Sequence, residues 1–310
     1  GIVMLREMGI AAQYVLVKTN SSTSNHDLPS RDFDHVIIRV ATKQGYRYLD
    51  LTANNFPIGT LPPSDYDAAS LLIPTPDGEG IKRLNRTNFA PSTISVLHTM
   101  SVTPDGAIDA QRRTTYSGVL SAFVRGSYRN VAQKELEKSI TEGLGSEFPD
   151  VELKGVSLTG VDTLAQQLVI NEEFNAPRYV STAGGFMILK LPWLYKTSSD
   201  EAFSYPKRSY PLDIDFSYDS CYEELRVTVP KGYTPVELKS PVKYSSPLGD
   251  YHAEYSFAGG ILTAKRKFVI SKRFIETKDY AKVKQFYNSM VTNDEQQLLL
   301  KASGKKGKNQ

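Results

Sequence analysis

A histidine and an aspartate on two neighbouring predicted strands are the residues of this chain best placed for chemistry. His35 precedes the apolar, β-branched run 36–40, and Asp50 lies in the next strand-like run, 46–51, after a short polar stretch that ends at Gly45. This pattern predicts a β-hairpin. A hairpin centred on that loop places His35 across from about Asp50, where side chains on one face are roughly 5 Å apart.

An imidazole that faces a carboxylate has a chemical use. The carboxylate accepts from one ring nitrogen, fixes the tautomer, and leaves the other nitrogen to exchange a proton. The same spacing also fits a structural hydrogen bond, and the stretch contains no nucleophile. The pair alone therefore leaves two interpretations open: part of a general acid–base centre, or a contact that only stabilises the hairpin.

Three ordered runs around this pair resemble the second half of the core of bacterial transglutaminase-like proteins. They are MLREMGIAAQYVLVKT (4–19), LPSRDFDHVIIRV (28–40) and YRYLDLTANNFPIGTLP (46–62). The resemblance implies that His35 is a general base and that Asp50 is its orienting carboxylate. It also implies that the family's nucleophilic cysteine, at the start of a helix where the dipole stabilises thiolate, lies upstream of Gly1.

Cys221 is the single cysteine of the chain, so no internal disulfide can form. It opens the alternating run 221–229 with no helix start behind it. We therefore expect a partly buried, unreactive thiol rather than a nucleophile.

A second resemblance concerns the C-terminal part of the chain. PKGYTPVELKSPV (230–242) and DYAKVKQFYNSMVTNDEQQLLLK (279–301) resemble the accessory β domain of unknown function that accompanies the transglutaminase-like core in bacterial proteins. In the latter run, 279–291 has apolar residues at helical spacing and predicts a closing amphipathic helix. A further helix is predicted over 127–142, and Gly184-Gly185 predicts a hairpin turn.

Together these patterns predict a β-rich α+β fold in four segments. We expect an incomplete papain- or transglutaminase-like core of antiparallel strands over 1–76 and a mixed α+β middle domain over 77–203. An antiparallel β-sandwich with its closing helix is expected over 204–301, and a disordered tail over 302–310.

Composition excludes several function classes. The 310 residues carry 37 basic and 34 acidic side chains, a near balance that gives no support for a nucleic-acid partner. No run approaches the roughly 20 apolar residues of a membrane span. No metal-ligand spacing or cofactor fingerprint is present, so we expect no cofactor and no metal.

Two functions follow as hypotheses. In the first, the chain is the C-terminal part of a transglutaminase-like, cysteine-dependent acyltransferase or amide or peptide hydrolase. It would act on a protein or peptide substrate in the parent protein and be inactive alone. In the second, it is a non-catalytic binding or scaffolding module with an unused His35 and Asp50. The resemblance implies a periplasmic or cell-envelope location for either, and the oligomeric state is left open.

Overall fold

The computed structural model describes residues 1–20, 32–74, 76, 80–85, 91–164, 167–198, 203–214 and 218–303. The chain folds into two compact units. Unit 1 comprises 1–92, 117–129 and 160–168, and unit 2 comprises 93–116, 130–159 and 169–310. Most of the predicted tail, from residue 304 onward, lies outside the described residues.

Unit 1 is built on a five-stranded antiparallel sheet. Its strand order is β3-β2-β1-β4-β5. The elements are α1 (Ile2–Glu7), β1 (Ala12–Lys18), β2 (His35–Thr42), β3 (Gly45–Leu49), a 3₁₀ turn (Pro63–Asp65), β4 (Ala69–Ile73), β5 (Lys82–Arg83) and α2 (Gly118–Tyr128). The predicted hairpin is present, and Gly45, with φ +112°, supplies the positive φ at its turn.

The two faces of this sheet bury separate apolar clusters, as period-2 alternation requires. One face carries Val15, Val17 and Ile37, which pack under Leu61 and Ala68 from the loop that follows β3. The opposite face carries a smaller cluster formed by Ile2, Ala12, Ile38 and Val40. Because His35 and Ile37 are two residues apart on β2, His35 belongs to the first face.

Unit 2 contains a mixed eight-stranded sheet of order β15-β16-β17-β13-β6-β7-β9-β8 and a four-stranded sheet of order β10-β11-β19-β14. A two-stranded sheet joins β12 and β18. The strands of the large sheet are β6 (Thr93–Val102), β7 (Ile108–Ser117), β8 (Glu152–Thr159), β9 (Gln167–Ala176), β13 (Ser220–Thr228), β15 (Val242–Ser246), β16 (Gly249–Ala258) and β17 (Ile261–Ile270). The other elements are α3 (Gln133–Gly145), β10 (Ser181–Ala183), β11 (Phe186–Lys190), β12 (Leu212–Asp213), β14 (Tyr233–Pro235), β18 (Phe274–Ile275), α4 (Tyr280–Asp294) and β19 (Gln297–Ala302).

The structure confirms the prediction of a β-rich chain, and the described residues form four α-helices and several antiparallel pairs of strands. It differs from the prediction of a self-contained antiparallel C-terminal sandwich. Strand β13 pairs in parallel with β6, from Thr93 opposite Ser220 to Ser101 opposite Thr228, so 77–203 and 204–301 share one sheet. A parallel pair has no connecting turn and its partners are distant in sequence, so no local pattern reveals it.

The helices differ from the prediction in two places. The helix predicted over 127–142 is present only as α3, which begins later, at Gln133, because Asn130 has φ +85°, which is incompatible with a continuing helix. Helix α2 lies almost entirely before the predicted range and was not predicted. The closing helix is present as α4, and Gly184-Gly185 turns β10 into β11 as expected. Ala302, assigned to the tail by its sequence, ends β19, and its N–H donates to the Gly185 carbonyl at 2.8 Å.

Two buried arginines of unit 2 are fully engaged with carboxylates. Arg112 donates to both oxygens of Glu172, at 2.6 and 2.9 Å. Arg266 donates to Glu223 and Asp294. Because these ion pairs are shielded from water, they hold strands β7, β9, β13 and β17 and helix α4 in fixed positions.

Candidate functional site

Strand β2 fixes the position of His35. Its residues alternate between the two faces of the sheet, and His35 pairs with Val17 of β1. Just before the strand, Asp34 accepts hydrogen bonds from the backbone N–H of Thr19 at 2.9 Å and from its hydroxyl at 2.8 Å. These contacts fix the residue directly before His35 and therefore the start of β2.

The hairpin brings Asp50 to the same face. Leu49 lies opposite Ile38, and continuing this register places Asp50 beside Ile37. His35 is two positions from Ile37, so the pair is diagonal rather than directly opposed as the sequence suggested. Nε2 of His35 lies 3.1 Å from Oδ2 of Asp50, which is hydrogen-bond distance. The Asp50 side chain is only 2% exposed.

The carboxylate of Asp50 is oriented by a short local motif. Its Oδ1 accepts hydrogen bonds from the backbone N–H of Thr52 at 2.8 Å and from the Thr52 hydroxyl at 2.7 Å. The other oxygen is therefore turned toward His35. We did not infer a role for Thr52 from the sequence, although an aspartate followed two residues later by a threonine is a recognisable turn motif.

A third titratable residue, which sequence reasoning missed, completes the cluster. Asp65 ends the 3₁₀ turn and is fully buried. One donor atom each of His35, Asp50 and Asp65 lies within 4.8 Å of the others. Asp65 is 15 residues from Asp50 in a proline-rich loop, and no periodic pattern links the two residues.

The environment of Asp65 disfavours its charge. Neither carboxylate oxygen has a hydrogen-bond partner among the described residues. Burial raises the pKa of Asp65 to about 6, and the charge of Asp50 adds to the rise, while the His35 imidazole and the neighbouring Ser64 hydroxyl offset part of it. Two carboxyl groups thus lie near one imidazole, and only Asp50 is within hydrogen-bond distance of it.

Helix α2 anchors the loop that follows Asp50. The buried Arg125 donates from Nη1 to the Asn55 carbonyl at 2.7 Å and from Nε to the Gly160 carbonyl at 3.0 Å. Phe56 packs edge-on against Phe123, with ring centroids 5.9 Å apart. A residue five positions beyond Asp50 is therefore tied to the rest of unit 1, which limits movement of the aspartate.

Cys221 lies in unit 2, on β13, where it is 3% exposed. Its sulfur is 3.7 Å from a carboxylate oxygen of Glu223. Burial raises the pKa of the Cys221 thiol far above its usual range, and the Glu223 carboxylate adds to this effect. These surroundings oppose thiolate formation.

His35 and the oriented, nearly buried carboxylate of Asp50 thus meet on one face of an antiparallel sheet.

Comparisons with known proteins show what the chain is similar to. Residues 185–300 match the family model of a domain of unknown function with a solved structure, DUF3858. No model of the transglutaminase-like family matches the chain, and no curated protein matches it.

The fold resembles that of a larger protein of known structure. The crystal structure of a candidate protease from Parabacteroides distasonis ATCC 8503 aligns with 97% of this chain at a TM-score of 0.50 and 12% sequence identity. The chain covers 42% of that protein, so it spans less than half of its length. At this identity the likeness establishes a shared fold.

The DUF3858 match confirms that the C-terminal part of the chain contains a domain of unknown function. It begins at residue 185, earlier than the predicted boundary at 204, and so takes in β11. That strand pairs with β19 at the end of the chain, which explains why the domain extends upstream. No helix among the described residues is long and apolar enough to cross a membrane.

Proposed function

We propose that this chain supplies the general base and its orienting carboxylate to a transglutaminase-like, cysteine-dependent enzyme that hydrolyses or transfers the acyl group of an amide bond. The observation that carries the proposal is the 3.1 Å contact between Nε2 of His35 and Oδ2 of Asp50. Fold similarity to a candidate protease supports it.

In this proposal each ring nitrogen of His35 has its own role. Asp50 accepts from Nε2–H, so the tautomer leaves Nδ1 as the basic nitrogen. Nδ1 would take the proton of a cysteine thiol, and the resulting imidazolium would later give a proton to the leaving amine. Asp50 stabilises the imidazolium because it is nearly buried and its other oxygen is bound by Thr52.

The cysteine in this proposal belongs to the parent protein, upstream of Gly1. Cys221 does not fit the role, because it is buried next to a carboxylate. We therefore propose that the 310-residue chain alone does not hydrolyse amides. A protein or peptide is the proposed substrate, and the cell envelope of a bacterium is the proposed location, on the strength of the family resemblance.

Labelling of the full-length parent protein with a thiol-directed electrophile at neutral pH tests the proposal. We expect a single cysteine at a helix start to react rapidly, and a His35→Ala variant to react much more slowly because the thiolate loses its partner. His252→Ala, which alters a histidine of β16 in unit 2, is the matched control and should react like wild type. Equal labelling of His35→Ala, or a parent protein with no such cysteine, would favour the non-catalytic binding module instead.

A further inference from the structure

Asp65 places a second, buried carboxylate beside the His35–Asp50 pair. It is fully buried, and neither of its oxygens has a hydrogen-bond partner among the described residues. Asp50, by contrast, is bound by Thr52 and His35. A buried carboxylate with no partner is costly, so proteins pair such groups or place them on a cation.

The three donors fit one kind of cation best. They comprise one imidazole nitrogen and two carboxylate oxygens within 4.8 Å of one another. Calcium and magnesium favour all-oxygen ligand sets, whereas zinc accepts imidazole together with carboxylate. Tetrahedral zinc holds its ligand atoms about 3.4 Å apart, so the widest pair has to close by up to about 1.4 Å.

We propose that His35, Asp50 and Asp65 form a zinc-binding site. Each ligand comes from a different segment that is already held in place. His35 lies on the paired strand β2, Asp50 is fixed by Thr52, and the N–H of Asp65 donates to the Pro62 carbonyl at 3.0 Å. Three protein ligands leave the fourth tetrahedral position open.

Zinc at this position has a consequence for His35 that rests on the proposed function. A neutral imidazole that binds zinc through Nε2 carries its proton on Nδ1. It then has no lone pair with which to take a proton from a thiol. His35 and Asp50 would therefore bind zinc, together with Asp65, in one state and serve acid–base chemistry in the other, and zinc would inhibit the enzyme reversibly.

Calorimetric titration of zinc chloride into the chelator-treated 310-residue chain tests the site without any enzyme assay. We expect one zinc per chain, with affinity reduced by more than about tenfold in His35→Ala and in Asp65→Asn, since even outer-shell changes cost that much. His252→Ala and Asp32→Asn remove a histidine and an aspartate outside the cluster, and Cys221→Ser removes the thiol. All three controls should bind zinc like wild type.

Absence of stoichiometric binding to the wild-type chain, or unchanged binding by Asp65→Asn, would overturn the proposal. Thermal unfolding of each variant shows whether it is folded. X-ray absorption on the zinc-loaded wild-type chain does not depend on any variant. It should show one imidazole nitrogen and oxygen ligands at about 2.0–2.2 Å, and a sulfur shell or a lack of imidazole would contradict the site. These outcomes are separate from the labelling of the parent protein, so either proposal can fail alone.

Discussion

Thr52 binds one carboxylate oxygen of Asp50 twice, through its backbone N–H at 2.8 Å and its hydroxyl at 2.7 Å. The turn that forms these bonds lies directly after β3. It leaves the second oxygen facing His35, so the direction of the carboxylate is set within three consecutive residues. An exposed threonine thus determines the geometry of a nearly buried contact.

Replacement of Thr52 by valine removes the hydroxyl and keeps both the shape of the side chain and the backbone hydrogen bond. We expect the rate of thiol labelling in the parent protein to fall by about tenfold, because one hydrogen bond to a charged group contributes roughly 1.5 kcal/mol. Thr42→Val, at the exposed turn of the same hairpin, is the control and should leave the rate unchanged. An unaltered rate in Thr52→Val would contradict an orienting role for this residue.

Arg266→Met tests the buried ion pairs of unit 2. The substitution leaves Glu223 and Asp294 buried without their cation, so we expect the free energy of unfolding to fall by about 3–5 kcal/mol. Chemical denaturation followed by circular dichroism measures the change. Arg178→Met breaks an exposed pair with Asp150 and should cost less than about 1 kcal/mol. Equal losses in the two variants would show that burial does not set the strength of these pairs.

Glu147 makes the stability of unit 2 depend on pH. Burial raises the pKa of Glu147 to about 7, although Arg112 at 3.7 Å opposes the rise. The folded-state pKa of Glu147 lies above the unfolded value of about 4.3. The contribution of Glu147 to the free energy of unfolding is therefore complete below about pH 4.3 and is lost as the pH rises through 7. Relative to Glu147→Gln, the wild-type chain should lose on the order of 2 kcal/mol between pH 5 and pH 8.

The matched control for this titration is Glu137→Gln, which changes an exposed glutamate of α3. Its difference from wild type should stay constant with pH. Denaturant titrations at several pH values measure both differences. A flat difference for Glu147→Gln would mean that the glutamate is ionised throughout the range.

Cys221 should not react with thiol reagents in the folded chain. Its sulfur is buried beside Glu223, and burial raises its pKa, so little thiolate is present at neutral pH. We expect iodoacetamide to leave the native protein unmodified and to label one site per chain in concentrated guanidinium chloride. Labelling of the native chain at the rate of free cysteine would show that this part of β13 opens readily.

The sequence predicted the local part of the site and missed the non-local part. His35 and Asp50 were identified because a hairpin joins their strands through a short turn, and the resemblance placed the same two residues in a catalytic pair. Asp65 reaches them through a proline-rich loop. The path of that loop depends on the packing of its own Leu61 and Ala68 against the sheet. No periodicity in the sequence encodes that path.

The same limit applies to the fold. Alternation of apolar residues over 221–229 marked the strand that becomes β13, because that strand buries one face. It gave no information about which strands are neighbours, and the parallel pairing of β6 with β13 was missed. Helix α2 was missed because its run, 118–128, contains two glycines and two valines, which weaken a helical pattern.

The pairing of β6 with β13 also governs the order in which unit 2 can assemble during synthesis. Thr93 leaves the ribosome long before its partner Ser220, so one edge of β6 waits unpaired while the intervening chain is made. Such an edge is open to pairing with other chains, and contacts between distant residues form slowly. The centre of the largest sheet therefore closes late, and a nascent chain stalled before β13 is the form of this protein most exposed to aggregation.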